Sequence, residues 1–531
     1  MAIDFALSAM AARSDLAPAR WRRPFLKWLD ATETGSAVPL LLVGFIAVWM
    51  AFLMIAYLCG DLHPDVLETW SLGRTWQWGN PKHPPLVGWV VYLWTSVFPL
   101  TDWSFQLLAM TNSAIALWSV DLISRRFVRG DKRLVVLLLL MLLPVYQFHA
   151  QRFNANTVLL ATWPIATFCF LRSFESRHAL WAIAAGATAA LALLGKYYSV
   201  FLVASFVVAA IVHPQRRLYF SSLAPWVSAA AGLLVLAPHL YWLATTGALP
   251  FKYALKAQGG ATSGESLIEA ASFLLGLCAS MAIPALTWVV IAGTRLKQLP
   301  ADFRALDSGL WLLFFVSVGT IVFPILTTVS LTTDLPSLWA WQGLFLFVVL
   351  IVCGARFSVE RFYSVNLAVM VLGMATIAVV VVAPIHAIYR NTHPFKEGRN
   401  FYRSSSAELT RRWHELSDEP LPLVSGSEAL AFATAFYSPD HPKYWHVWHP
   451  GDIWGPTPPQ AVLERGWAAM CFSDEEICIA WMDMTAPPAR SVRSEFTVRS
   501  TLMGLPGATR QVTALIVPPD MNDPVTGPKQ R

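Results

Sequence analysis

The chain is short of charge: Asp, Glu, Lys and Arg make up only 14% of its 531 residues, where a soluble domain carries about 25%. Hydrophobic residues reach 56% and the mean hydropathy is +0.50. A surface made to face water is therefore excluded for most of the chain, and a helical bundle in lipid is the simpler reading. No basic stripe with interleaved aromatics is present, which excludes nucleic acid as a partner. The net charge of +6 then reads as Lys and Arg decorating cytoplasmic loops. Asp-x-Asp is missing, and with it any dedicated motif for a divalent cation; a cation stays open, without named ligands. The C-terminal part has no nucleophile elbow, zinc spacing or phosphate loop. A cleavable signal is missing too. The first apolar span begins near Val38, after a long lead with Arg13, Arg20, Arg22, Arg23 and Lys27, so an uncleaved first membrane helix is expected.

Cysteine is scarce, at six residues. Cys59, Cys169, Cys278 and Cys353 lie in or beside apolar spans and read as small core residues. Cys471 and Cys478 sit together in the polar C-terminal part. They read either as a disulfide, if that part is extracytoplasmic, or as two free thiols.

Long apolar runs are plentiful. With about 20 residues needed to cross a bilayer, eleven spans are expected, near 38–58, 105–124, 134–150, 157–173, 179–195, 198–212, 222–243, 269–293, 309–330, 335–354 and 363–383. With the N-terminus in the cytoplasm, inside segments hold 19 Lys and Arg and outside loops before residue 384 hold six, which fixes the orientation and puts the C-terminus out. The apolar stretch Pro85 to Pro99 is too short to span and reads as an interfacial helix, with Trp89, Tyr92 and Trp94 at the boundary. The expected divisions are a transmembrane domain at 1–383, with its first outer loop at 59–104, a small periplasmic α/β domain at 384–519, and a disordered tail at 520–531. Within the second, 421–425, 444–447, 477–482 and 513–517 are expected as strands, and 427–437 and 461–470 as helices. Together these describe an α-helical polytopic membrane protein with a C-terminal α/β extracytoplasmic domain. The uncleaved span, short loops and Cys pair suit a bacterial inner membrane.

The first outer loop concentrates ionisable residues at the membrane face: Asp61, His63, Asp65, Glu68, Arg74, Lys82 and His83. Such groups are costly there unless used; a solvated loop is the plain alternative. Asp65 is followed eighteen residues later by His83-Pro84-Pro85-Leu86, with Trp70 and Gly79 between. Gly195-Lys196-Tyr197 follows the fifth span, and Pro238-His239-Leu240-Tyr241-Trp242 ends the seventh. Over about residues 40 to 245 this pattern resembles family 39-type glycosyltransferases, the protein O-mannosyltransferase and lipid A aminoarabinose transferase group.

The resemblance implies a GT-C fold and an enzyme that takes sugar from a polyprenyl-phosphate donor at the outer membrane face and inverts the anomeric centre. It implies that Asp65 is the catalytic carboxylate. The family's Asp-Glu pair is here Asp65-Val66, with Glu68 the nearest acid and second catalytic candidate. The family's Asp before His-Pro-Pro is here Lys82. Glycosyl transfer needs a base at the acceptor hydroxyl and stabilisation of a departing phosphate. Candidates for substrate binding are Lys82, His83, Asn154, Asn156, Lys196, Tyr197 and His239. Each has a plainer reading: snorkelling for Lys82 and Lys196, helix capping for Asn154 and Asn156, and a satisfied structural histidine for His239. Lys252 and Lys256 could steer an anionic headgroup.

The expected partners are the donor, a glycolipid or protein acceptor, and the bilayer. A lipid or sugar transporter or flippase is the runner-up, against which stand the absence of an internal repeat and the crowding of polar residues on one side. On the enzyme reading, removing residues 400–531 is expected mainly to alter acceptor choice or stability.

Overall fold

A computed structural model of the chain describes residues 23, 27, 28, 30, 31, 36–251, 262–334, 336–445, 463–485 and 490–519. The basic lead up to Arg22, Lys252 and Lys256, and the tail at 520–531 lie outside the described residues. The membrane part comprises α1 (Ala37–Ala56), α2 (Pro64–Leu72), α3 (Leu86–Thr95), α4 (Asp102–Ser124), α5 (Gly130–Leu140), α6 (Leu159–Ser176), α7 (Ala179–Gly195), α8 (Val200–Val212), α9 (Ala224–Thr246), α10 (Ser263–Ala292), α11 (Ser308–Leu331), α12 (Leu344–Gly354), α13 (Arg361–Ile377) and α14 (Ala383–Thr392).

Among the described residues, seven helical stretches are long and apolar enough to cross a bilayer: Ala37–Ala56, Asp102–Ser124, Ala224–Thr246, Gly264–Arg304, Ser308–Leu331, Ser337–Gly354 and Arg361–Thr392. They coincide with seven of the eleven expected spans. Of the other four, α5, α7 and α8 are shorter helices, and α6 has 18 residues but is less apolar. The expected span at 134–150 ends as a helix at Leu140, and Pro144 opens a 3₁₀ turn. Proline has no N–H to extend the ladder. In the irregular segment beyond it Val145, Tyr146, Gln147 and Ala150 are buried, and Gln147 Nε2 donates to the Met141 carbonyl at 2.6 Å. Non-helical backbone at membrane depth survives only where protein covers it. The ten residues of α3 rise about 15 Å, half a hydrocarbon core, which agrees with reading 85–99 as no span. The last helical stretch continues past residue 383, through a π turn at Ala378–Val382, to Thr392.

α4 is the most enclosed span, and its buried residues are largely small or polar: Ser104, Asn112, Ser113, Ser119, Ser124. Small side chains let neighbouring backbones approach, which replaces the missing hydrophobic drive in lipid. The same device joins α7 to α9, where a Cβ on Gly186 would sit 1.9 Å from the Ser228 carbonyl oxygen. Cys278, expected in the core, is exposed on α10. An apolar groove of about 440 Å³ runs between α1, α5 and α13; no candidate site residue lines it.

The C-terminal domain is α/β, as expected, with α15 (Tyr402–His414), α16 (Glu428–Tyr437) and α17 (Glu476–Thr485) beside β1 (Leu423–Gly426), β2 (Lys443–Tyr444), β3 (Trp467–Phe472), β4 (Val492–Leu502) and β5 (Leu505–Val517). The sheet order is β2-β1-β3-β5-β4. β1 pairs in parallel with β2 and β3, and β5 pairs antiparallel with β3 and β4. Two assignments are corrected. The expected helix at 461–470 is helical at residues 463 and 464 and strand β3 from Trp467 onward; the six residues of β3 are all buried, and a short, wholly apolar run carries no period to tell the two apart. The expected strand at 477–482 is helix α17. There Cys478, Trp481 and Met482 are buried while Ile477 is exposed, a spacing of three and four. The β4–β5 hairpin turns on Met503 and Gly504, both at positive φ, as a two-residue turn demands. Cys471 and Cys478 form a disulfide, with Cα atoms 5.8 Å apart, tying β3 to α17.

Candidate functional site

α2 owes its start to His63 and Pro64. His63 is the N-cap, and its Nδ1 accepts the Asp65 N–H at 3.2 Å. Pro64 follows at the first helical position, where its missing N–H costs nothing. Asp65 thus stands in the first turn, where the helix favours negative charge. Its carboxyl is 42% exposed, and its Oδ2 accepts from Asn154 Nδ2 at 2.8 Å. Burial holds His63 down at about 4, with Asp65 opposing and Arg152 and Arg399 adding to the shift. The imidazole is therefore neutral, with Nδ1 as acceptor.

Asn154 makes contacts in two directions. Its Oδ1 accepts the N–H groups of Asn156 (2.9 Å) and Thr157 (3.1 Å), which shapes the turn before α6, while its amide nitrogen reaches Asp65. The turn aims Asn156 the other way, and Asn156 Oδ1 accepts from Lys196 Nζ. Lys196 caps the end of α7, and its ammonium lies 3.9 Å from the centre of the Trp339 ring. Burial lowers it to about 7. An acid and a base are so held on one short turn, each by a neutral amide.

Glu68 and Lys82 form an ion pair, 2.6 Å between Oε1 and Nζ. Burial pushes Glu68 up to about 7 even though Lys82 opposes the shift. Asn80, itself buried, accepts the N–H groups of Lys82 (3.0 Å) and His83 (2.7 Å). This turns the chain into His83-Pro84-Pro85. Burial, with Lys82 and Lys196 adding, holds His83 down at about 3. Glu68 is engaged with Lys82, whereas Asp65 offers a half-exposed carboxylate.

Tyr197 and His239 are brought to the first loop. His239 Nδ1 donates to the Trp78 carbonyl (2.7 Å), so its Nε2 accepts from the Tyr197 hydroxyl (2.8 Å). Trp242 stacks on His239, and a Cβ on Gly79 would meet the Trp242 ring at 2.4 Å. Only glycine allows the loop that close. His239 acts here as a fastener, its plainer reading. The indoles of Trp76 and Trp89 stack at 4.9 Å, and Trp76 and Trp78 remain exposed.

Some residues here escape sequence reasoning. Trp339 beneath Lys196, and His149 with its edge on Trp341, come from segments that carry no motif. Asp61 and Asp102 flank the loop and meet Arg403 of the C-terminal domain; a salt link across 301 residues of chain leaves no local signal. Arg399 is buried against Tyr57 and Phe395. Among the described residues, no group of three His, Cys, Asp or Glu side chains is placed to hold a metal ion.

Three comparisons bear on this geometry. Residues 82–242 match the family model described as dolichyl-phosphate-mannose-protein mannosyltransferase. The lipopolysaccharide core galacturonosyltransferase RgtB of Rhizobium johnstonii is 26% identical over 247 residues, 44% of this chain and 48% of that protein. The chain thus spans about half the length of the curated relative it matches. Crystal structures of ArnT from Cupriavidus metallidurans superpose on nearly the whole chain. The one bound to undecaprenyl phosphate gives a TM-score of 0.58 at 15% identity, covering 90% of this chain and 97% of that one. The apo state gives 0.56 at 14%, covering 91% and 98%. The chain therefore has the GT-C fold of ArnT, and the resemblance first read from the outer loop to the dolichyl-phosphate-mannose-protein mannosyltransferase family extends over residues 82–242.

Proposed function

We propose that this protein is an inverting membrane glycosyltransferase that moves a sugar from a polyprenyl-phosphate donor to a glycolipid of the cell envelope. The observation that carries the reading is Asp65: a half-exposed carboxylate in the loop that also holds Lys82, aimed by Asn154 from a turn whose Asn156 holds Lys196. In the step envisaged, the acceptor hydroxyl oxygen bonds to the anomeric carbon and its proton passes to Asp65. The bond from that carbon to the phosphate oxygen breaks, and polyprenyl phosphate leaves as an anion beside Lys196. The undecaprenyl phosphate held by ArnT and the lipopolysaccharide substrate of RgtB support a lipid-linked donor and a lipopolysaccharide-type acceptor. The galacturonosyl specificity of RgtB favours a uronic sugar, and Arg152, exposed and near enough to His63 to lower its pKa, is a cation suited to the sugar's carboxylate. The reaction side is the periplasm of a bacterial inner membrane, with the N-terminus cytoplasmic. The positive-inside count and the disulfide, a bond of oxidising compartments, support that orientation.

The test is Asp65→Asn in proteoliposomes with a polyprenyl-phosphate uronosyl donor and lipopolysaccharide core acceptor. The expected outcome is a folded, membrane-inserted protein with transfer reduced about 1,000-fold, the scale of a lost general base. Full transfer by that variant would remove Asp65 from the reaction. Movement of donor across the membrane without covalent change would favour a flippase instead.

A further inference from the structure

The loop that carries Asp65 is held from above by the C-terminal domain, on both sides of the carboxylate. Upstream, the Asp61 N–H donates to the Arg399 carbonyl (2.7 Å) and the Leu62 N–H donates to the Tyr437 hydroxyl (2.9 Å). These are the last backbone donors before His63-Pro64 starts α2. Arg403 grips the same spot. Its backbone N–H donates to Asp61 Oδ2 (2.9 Å), its Nε to Asp61 Oδ1 (3.3 Å), and its Nη2 to Asp102 Oδ2 (2.6 Å). Tyr437 completes the ring by donating to Asp102 Oδ1 (3.0 Å) and lying under the guanidinium, 4.6 Å from its centre. Downstream, Trp70 meets Phe436 edge-on at 5.3 Å, and Arg74 donates to the carbonyls of His441 (2.7 Å) and Pro442 (2.8 Å).

We propose that the C-terminal domain is a clamp that sets the position of Asp65, with Arg403 as its principal positioning residue. The proposal rests on the reading of Asp65 given above. Asp61 and Asp102 are two carboxylates from the two ends of the first outer loop, and the Arg403 guanidinium bridges them. The loop is thus closed at its base by a residue of another domain. From that base, only Leu62, His63 and Pro64 separate the clamp from Asp65, and proline leaves one of them little freedom. Reaction geometry is steep in such displacement: about 1 Å of misplacement costs on the order of 100-fold in rate. Arg403 itself is 60% exposed. Its partners are less exposed, Asp61 at 11% and Asp102 at 24%, so removing the guanidinium leaves two part-buried carboxylates without their counter-charge, and the loop is released at some cost in stability.

The full-length protein in proteoliposomes supplies the test, with Arg403→Ala, Arg403→Lys, Tyr437→Phe and Asp65→Asn assayed together and Arg493→Ala as a surface-pair control. Arg403→Ala is expected to lower kcat about 100-fold, with donor KM within about twofold of wild type and a melting temperature lowered but still that of a folded protein. Arg403→Lys restores part of kcat, because an ammonium meets one carboxylate where the guanidinium fork meets two. Tyr437→Phe falls between, and Arg493→Ala matches wild type. Wild-type kcat in Arg403→Ala overturns the clamp, as does a loss confined to KM. If Arg403→Ala does not fold, Tyr437→Phe decides, since it removes one hydroxyl and keeps the ring; wild-type kcat there overturns the clamp. An active Asp65→Asn brings down the functional reading itself, whereas an inactive Asp65→Asn beside an active Arg403→Ala brings down the clamp alone. The same contacts replace the sequence-based expectation for removal of residues 400–531: transfer is lost, not redirected.

Discussion

The two ends of the bundle treat charge differently. At the end read as cytoplasmic, cations meet carboxylates. Arg133 is paired with Asp121 in the core, Arg126 with Glu175, Arg295 with Glu360, and Arg361 with both Asp30 and Asp131. The outer end has ion pairs too, Lys82 with Glu68 and Arg403 with Asp61 and Asp102, but there the Asp65 carboxylate is held by the amide of Asn154, and the Lys196 ammonium by the amide of Asn156 and the face of Trp339. Among the described residues, no lysine or arginine forms an ion pair with Asp65 and no carboxylate forms one with Lys196. A neutral partner fixes the direction of a charged group and leaves its charge unspent. The inner pairs hold the bundle together; on the proposed function, Asp65 and Lys196 keep their charge for donor and acceptor.

The sharpest way to break that contrast is to cut one member of each set. Asp121→Ala leaves Arg133 buried without its carboxylate. Breaking such a pair costs about 3–5 kcal/mol, and the thermal melting of the purified protein in detergent should fall accordingly. Transfer per folded molecule should stay at the wild-type level, because the pair is remote from the outer loop. Lys196→Met is the mirror image. Its melting temperature should hold or rise, since a desolvated cation is gone, while donor KM should rise about tenfold, or 1.4 kcal/mol. pH sharpens this further. With the ammonium lowered to about 7 by burial, it is charged below that pH and neutral above. Donor KM of the wild type should therefore climb between pH 6 and 8, and that of Lys196→Met should stay flat. A smaller effect is expected from Asn154→Ala. It unties Asp65 without removing it, and kcat should fall roughly tenfold, the loss of one hydrogen bond to a charged group. A wild-type kcat would show that the turn, and not Asn154 Nδ2, directs the acid.

Much of this site was legible because its motifs are local. Asp65 and His83 stand in a polar loop at the spacing that carries the family resemblance, Lys196 interrupts apolar sequence between two spans, and the long spans follow from hydropathy alone. What sequence could not give was pairing. Lys82 reads equally as a phosphate contact or a snorkelling side chain; its partner Glu68 lies fourteen residues upstream, on the inward face of a helix too short to show a clear period. Arg403 meets Asp61 across 342 residues, beyond any local pattern. The errors in the small domain have the same root. Trp467–Phe472 is apolar at every position, so neither the strand nor the helix period was there to be read. The short segment 477–482 reads as a strand on its apolarity, and only the burial of one side of it shows the helix.

Glu68 and His83 allow a last test, in which burial acts on two neighbours with opposite sign. Glu68 is raised to about 7 from 4.5, so the folded protein binds that proton more tightly than the unfolded chain. Its contribution to stability is complete below about pH 4.5 and is lost as pH rises through 7. His83 is lowered to about 3 from 6.5. The folded protein binds that proton less tightly, and the contribution is complete above about pH 6.5 and is lost as pH falls through 3. Between pH 4.5 and 6.5 the two cancel in the wild type, which should show a flat melting profile there. Glu68→Gln, a mimic of the protonated acid, removes one arm: its melting temperature should rise with pH across this window, and the wild type should lose ground to it from pH 5 to 8. His83→Gln removes the other arm, and its melting temperature should fall as pH rises. Parallel profiles for all three proteins would mean that water reaches both groups, and that the ion pair of Glu68 with Lys82 is a surface pair instead of the buried floor of the first loop.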